Sequence, residues 1–234
     1  MSLFTERPPQ ALAIYAHPDD PEVACGGTLA RWAAEGADVR LVVVNAGDKG
    51  SADAATDPEV LSEKRAGEVA AAAEVLGLAG WELLGVPDGE AVNDLGLRGR
   101  LVGLVRTHRP DVVIAPDPTA VFFGDSYVNH RDHREVGWAV LDAVAPAAAS
   151  PLYFPDQGPP HQVRALLLSG TLEPDAWVDV GASIDRKVAA VACHGSRVGD
   201  DPTLVDELLR ARTADAGARA GVRHAEGYRH LRLG

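Results

Sequence analysis

The sequence predicts an α/β protein with a Rossmann-like, mostly parallel sheet flanked by helices on both faces. Short apolar runs of strand length alternate along the chain with longer helical patterns, the order expected of βαβ units. The runs are nearly continuous in apolar residues, as strands covered on both faces require. At 234 residues, 46% apolar and 24% charged, the chain is long enough to bury a large core and reads as one domain over residues 1–234.

The first expected strand is Leu12 to Ala16, followed by a helix from Gly26 to Glu35 that Gly36 closes. A second strand, Val39 to Val44, leads into a loop from Asn45 to Asp57, rich in Gly, Asp and Ala. The next helix spans Pro58 to Gly77, where the glycine suits the positive φ of a helix end. Strand Trp81 to Val86 precedes helix Asp94 to His108, which stops before Pro110. Strand Val112 to Ala115, a loop from Pro116 to Asn129 and helix His130 to Val144 come next. Pro155 to Gln162, with three prolines, reads as a loop, and Ala165 to Leu168 as the fifth strand. Two helices, Ser183 to His194 and Pro202 to Ala214, complete the pattern, and no internal repeat is visible.

The net charge of -12 argues against a nucleic-acid partner, since that affinity rests on clustered Lys and Arg. No run of about 18 apolar residues occurs, and Met1 to Gln10 lacks a signal-peptide core, so a cytoplasmic protein without a membrane span is expected. Cys25 and Cys193 form no C-x-x-C pair, which indicates neither a disulfide framework nor a cysteine zinc site. Cys25 is read as a small residue packing a helix start and not as a ligand.

Two short segments carry chemistry. Ala16-His17-Pro18-Asp19-Asp20-Pro21-Glu22 begins at the carboxyl end of the first strand, and His130-Arg131-Asp132-His133 opens the helix after the fourth. Ligands of open parallel sheets bind beyond the carboxyl ends of strands, so a doubly wound order would bring both segments to one rim. Two histidines and one carboxylate hold a metal while leaving positions open, as catalytic sites do. The expected ligands are His17, Asp20 and His133, with Pro18 restricting the turn so that His17 and Asp20 share one space. Asp19 then points elsewhere and is the expected general base, taking a proton from water activated beside it. His130, three residues before His133, is assigned to the oxyanion or the leaving amine, with Asp132 orienting it. Glu22 is held as a further acid supporting the site, or else as a residue capping the helix start or facing solvent. A dinucleotide reading fails because no G-x-G-x-x-G follows the first strand. An iron(II) oxygenase site has no need of Asp19.

With both motifs in place, the chain resembles the LmbE-like or PIG-L deacetylase superfamily, whose hallmarks are A-H-P-D-D-x-E and H-x-D-H. Gly26-Gly27-Thr28-Leu29 continues the first motif. Weaker similarity runs through Asn45 to Gly50, Lys64 to Glu68, Pro87-Asp88-Gly89 and Lys187 to Ser196. The resemblance implies a Rossmann-like fold that binds zinc, iron(II) being able to share such a site. It also implies removal of an N-acetyl group from an N-acetylglucosamine-containing small molecule or glycoconjugate. Alternatives are an amidase of a pseudodisaccharide thiol conjugate and a metal-binding homologue without turnover. It places the metal on His17, Asp20 and His133, the base on Asp19, assistance to the intermediate on His130 with Asp132, and substrate contacts on Arg65 and His194. Asp88, in a turn at a strand's carboxyl end, is a further expected contact to a sugar hydroxyl. Relatives are often oligomers, which makes a homo-oligomer an expectation. Two positions depart from the pattern. Arg197 stands where many relatives carry glutamine, and Val128 where some carry a carbonyl-polarising tyrosine, with Tyr127 adjacent.

Overall fold

The computed structural model describes residues 2–198 and 202–233. In chain order its elements are β1 (Ser2–Leu3), β2 (Gln10–Tyr15), α1 (Asp20–Ala34), β3 (Asp38–Asn45), α2 (Pro58–Leu76), β4 (Gly80–Val86), α3 (Leu95–His108) and β5 (Val112–Pro116). There follow β6 (Phe122–Phe123), β7 (Tyr127–Val128), α4 (Arg131–Asp142), β8 (Ala165–Ser169), β9 (Ala176–Asp179), α5 (Ile184–Ala192), α6 (Gly195–Val198), α7 (Pro202–Ala220) and β10 (Ala225–Arg232).

Eight strands form one sheet in the order β1-β9-β10-β8-β5-β2-β3-β4, and β6 pairs with β7 in a separate hairpin. The five strands expected from sequence make a contiguous parallel block, β8-β5-β2-β3-β4. β10 runs antiparallel between β8 and β9. After β4 the chain returns across the sheet to pair β5 with β2, so strand order reverses at β2 and opens the crevice there. Alternation along β2 divides the interior. Ala13 and Tyr15 pack with Leu41, Val69 and Leu76 on the face carrying α1, α2 and α5. Leu12 and Ile14 pack with Leu101, Val105, Val136 and Val140 beneath α3 and α4.

Three expectations change. α1 begins at Asp20, not Gly26, because Pro21 suits a first helical turn, which puts Asp20, Pro21 and Glu22 of the first motif in that turn and leaves His17 to Asp19 before it. α4 passes after Asp142 into a π turn, Ala143–Ala147, that breaks at Ala145 before Pro146, and α7 runs on past Ala214 to Ala220. The segment between β3 and α2 is without helix or strand as expected, while that from Pro155 to Gln162 contains one 3₁₀ turn, Pro155–Gln157. Among the described residues no helix is long and apolar enough to cross a membrane.

A buried ion pair, Lys187 with Glu226, ties α1 to α5 and β10. Glu226 accepts from the backbone N–H groups of Gly27 and Thr28 at 2.9 and 2.8 Å, and Lys187 donates to the Val23 carbonyl at 2.7 Å. Gly27 permits this approach, since a Cβ there would lie 2.8 Å from that of Val180.

Candidate metal site and substrate cleft

Local hydrogen bonding builds the first motif. The His17 N–H donates to Asp20 Oδ2 at 2.8 Å, closing the turn so that both side chains face one point. Asp19 has φ 91, a left-handed conformation that an aspartate tolerates better than most residues. Such backbone strain costs about 1–3 kcal/mol and gathers at functional sites. The second motif forms at the start of α4. His130 is its N-cap, accepting at Nδ1 from the Asp132 N–H at 3.2 Å, so a neutral His130 carries its proton on Nε2.

His17 Nδ1, Asp20 Oδ2 and His133 Nε2 form a triangle. His17 lies 3.3 Å from Asp20 and 3.2 Å from His133, and His133 lies 3.1 Å from Asp20. Zinc bonds of about 2.0–2.2 Å in a tetrahedron require ligand separations of roughly 3.3–3.6 Å, so these atoms, at 3.1–3.3 Å, lie at the short edge of one tetrahedral face and leave the fourth corner free. The outward nitrogens are fixed as metal-binding histidines require. His133 Nδ1 bonds Asn129 Oδ1 at 2.8 Å, and His17 Nε2 bonds Asp132 Oδ2 at 3.1 Å. A second grouping, His17, His130 and Asp132, is also compact. Its Asp132 Oδ2 already accepts from the Gly89 N–H and Asn45 Nδ2, at 2.7 and 3.1 Å, which favours the first triangle.

Asp132 therefore does not orient His130 in the expected way. Its Oδ2 stands 3.8 Å from His130 Nδ1, whose lone pair is taken by the backbone, and its hydrogen bond goes to His17 instead.

Electrostatics separates the carboxylates. Burial would raise Asp20, but His133 and His17 outweigh it and hold the group far below the usual carboxylate range. Burial and the Asp20 charge push Asp19 up to about 7, against the pull of His194, Arg197 and Arg65. Burial alone would lower His17, yet its bonds to Asp132 and Asp20 hold it at about 10. Burial and the His17 charge lower His130 and keep it neutral near pH 7.

A cavity of about 610 Å³ opens over the triangle, lined also by Asp19, His130, Lys49, Arg65, Asp88 and Arg197. Arg65 is only 3% exposed, and its Nε and Nη2 have no protein partner. It runs under the β3–α2 loop, where a Cβ on Gly50 would lie 2.6–2.8 Å from its guanidinium. Asp88 accepts from the N–H groups of Gly47 and Lys49 at 2.9 and 3.3 Å, so it pins this loop as well as facing the cavity. Arg197 is 64% exposed, with Nε 3.7 Å from Asp19 Oδ2. Tyr127, at the hairpin, reaches the same cavity.

His194 lies apart from that wall. It is buried with Nε2 3.2 Å from Glu22 Oε2, and Glu22 is fully buried instead of facing solvent. Cys25 is buried in the core. Sequence reasoning missed Asn129, Asn45 and Lys49. Asn45 and Lys49 lie in the stretch of weaker family similarity, and Asn129 stands four residues before His133 at a helix start, where i and i+4 side chains meet.

A doubly wound sheet with this triangle at its switch point, and an unbound carboxylate beside it, defines a hydrolase-type fold able to take one divalent metal. The PIG-L family, GlcNAc-PI de-N-acetylase, matches residues 12–144, and the chain belongs to it. It is 30% identical to the diacetylchitobiose deacetylase of Thermococcus kodakarensis, over 95% of this chain and 83% of that protein. It is 33% identical to a 1D-myo-inositol 2-acetamido-2-deoxy-alpha-D-glucopyranoside deacetylase of Saccharopolyspora erythraea, over 79% of this chain and 70% of that one. The structure of N,N'-diacetylchitobiose deacetylase from Pyrococcus horikoshii, in complex with its inhibitor MPG, superposes with a TM-score of 0.87 at 28% identity, covering 96% and 84% of the two chains.

Proposed function

We propose that the protein is a zinc-dependent N-deacetylase of an N-acetylglucosamine-containing small molecule or glycoconjugate. The observation that carries this reading is Asp19, which its left-handed backbone sets beside the His17, Asp20 and His133 triangle without joining it. Zinc held by these three residues would polarise the amide carbonyl and acidify water. Asp19 accepts the proton of the attacking water and is tuned for it, being raised toward neutrality. His130, neutral with its proton on Nε2, donates to the developing oxyanion, and the proton gathered by Asp19 passes to the leaving amine. Asp132 and Asn129 hold the two ligand histidines in register. Arg65, Lys49 and Asp88 offer the sugar its polar contacts.

The test is acetate release from N,N'-diacetylchitobiose and from an N-acetylglucosamine–inositol by zinc-loaded protein. Asp19→Asn is expected to lower kcat by about 10²–10⁴-fold while zinc content stays the same. Absence of acetate release from both sugars, or full activity in the variant, would overturn the reading. Chelation is expected to abolish activity, with zinc restoring it.

A further inference from the structure

A second cavity, of about 230 Å³, meets the first at the reacting centre, and the two share Asp19, Asp20, His133 and Tyr127. Their chemistry is opposite. The first presents Arg65 with two unmatched donors, Lys49 bonded to Glu90 and the Asp88 carbonyl, and the exposed edge of His130. The second runs between α1 and the β6–β7 hairpin, and Val23, Ala24, Pro116 and Phe123 supply its apolar wall. Its own polar side chains are engaged within the protein. Tyr15 and Ser169 share a hydrogen bond of 2.7 Å, Asp117 accepts from Thr119 N–H and Oγ, and Asn129 is held by Ala120 and His133. Beyond the catalytic groups and Tyr127, the polar side chains of that wall are engaged, whereas in the first cavity Arg65 keeps two donors unmatched.

Resting on the deacetylase reading, we infer that the second cavity is an acyl channel and that the protein hydrolyses N-acyl amino sugars bearing unbranched chains of about four to eight carbons, not acetyl alone. An apolar cavity of about 150 Å³ accommodates the six carbons of benzene, so 230 Å³ far exceeds the needs of one methyl group. Water adds across the amide C–N bond, the acyl carbon leaves as the free carboxylate through this channel, and the sugar amine stays in the polar cavity.

The experiment compares kcat/KM for N-acetyl-, N-butanoyl- and N-hexanoylglucosamine, read as primary amine release by the zinc-loaded protein. A gain of about fourfold per methylene, roughly 250-fold from acetyl to hexanoyl, is expected. A hexanoyl value at or below the acetyl value overturns the channel and leaves the deacetylase reading standing. Amine release from none of the three counts against the deacetylase reading instead. Calorimetry on zinc-loaded Asp19→Asn protein then decides the channel, with hexanoate binding tighter than acetate sustaining it and equal binding overturning it. Ala24→Phe fills the channel from α1 and is expected to lower the hexanoyl-to-acetyl ratio at least tenfold. Phe123→Trp fills it from the hairpin should the first variant not fold. An unchanged ratio in a folded variant overturns the proposal.

Discussion

Arg65 and Arg106 are equally withdrawn from solvent, each 3% exposed, yet their surroundings differ completely. Arg106, on α3, gives every guanidinium nitrogen to backbone carbonyls of the segment after α4. Nε reaches Ala148, Nη1 reaches Phe154 and Gly158, and Nη2 reaches Ala147, Ser150 and Tyr153, at 2.7–3.2 Å. Arg65, on α2, lies against the substrate cavity with Nε and Nη2 unmatched. A buried cation with all its donors used is part of the framework, whereas one with donors left over is free to serve the substrate contact proposed above. The contrast separates a loop held by the protein for its shape from a cleft held open for a ligand.

The largest effect is expected from Arg106→Met, which strips six carbonyls of a shared donor. A loss of about 3 kcal/mol in urea unfolding would agree with the framework role. Arg65→Met is expected to lower kcat/KM on an N-acetylglucosamine substrate about 100-fold while stability stays level or rises, because an incompletely paired buried charge is removed. Destabilisation as large as that of Arg106→Met would erase the contrast. Gly50→Ala should act more mildly, since its Cβ displaces the Arg65 guanidinium. A KM about tenfold higher with stability little changed is the expected result. Smallest is Arg197→Gln. Arg197 favours the ionised form of Asp19, and the base works only when ionised, so loss of the cation raises Asp19 and moves the acid limb of kcat/KM to higher pH. Solvent screening of this exposed arginine limits the displacement to about half a pH unit. A limb that moves down would show that Arg197 acts on another group.

The parallel block was legible because β2, β3, β5 and β8 are almost wholly buried, which writes itself as continuous apolar runs. β10 was not, although it lies inside the sheet, because Ala-Glu-Gly-Tyr-Arg-His-Leu-Arg carries charges that a pattern assigns to the surface. β1, β6 and β7, at two residues each, are too short to form a pattern. At the site, the residues of both motifs do converge, and their kinds and spacing already suggested metal chemistry. What spacing could not supply was the pairing of side chains from different elements. Asp132 stands beside His130 in the chain but bonds His17, and Arg65, in the charged run Ser62-Glu63-Lys64-Arg65, is buried by a loop that folds over it.

The Lys187–Glu226 pair gives the molecule an order of assembly. The amide groups of Gly27 and Thr28, made early in synthesis, receive their buried acceptor only when Glu226 has been translated some 200 residues later. The helix that begins at Asp20 gains this tie only once β10 has entered the sheet. A nascent chain halted before that strand would carry both histidine-aspartate motifs with Gly27, Thr28 and Lys187 still without Glu226.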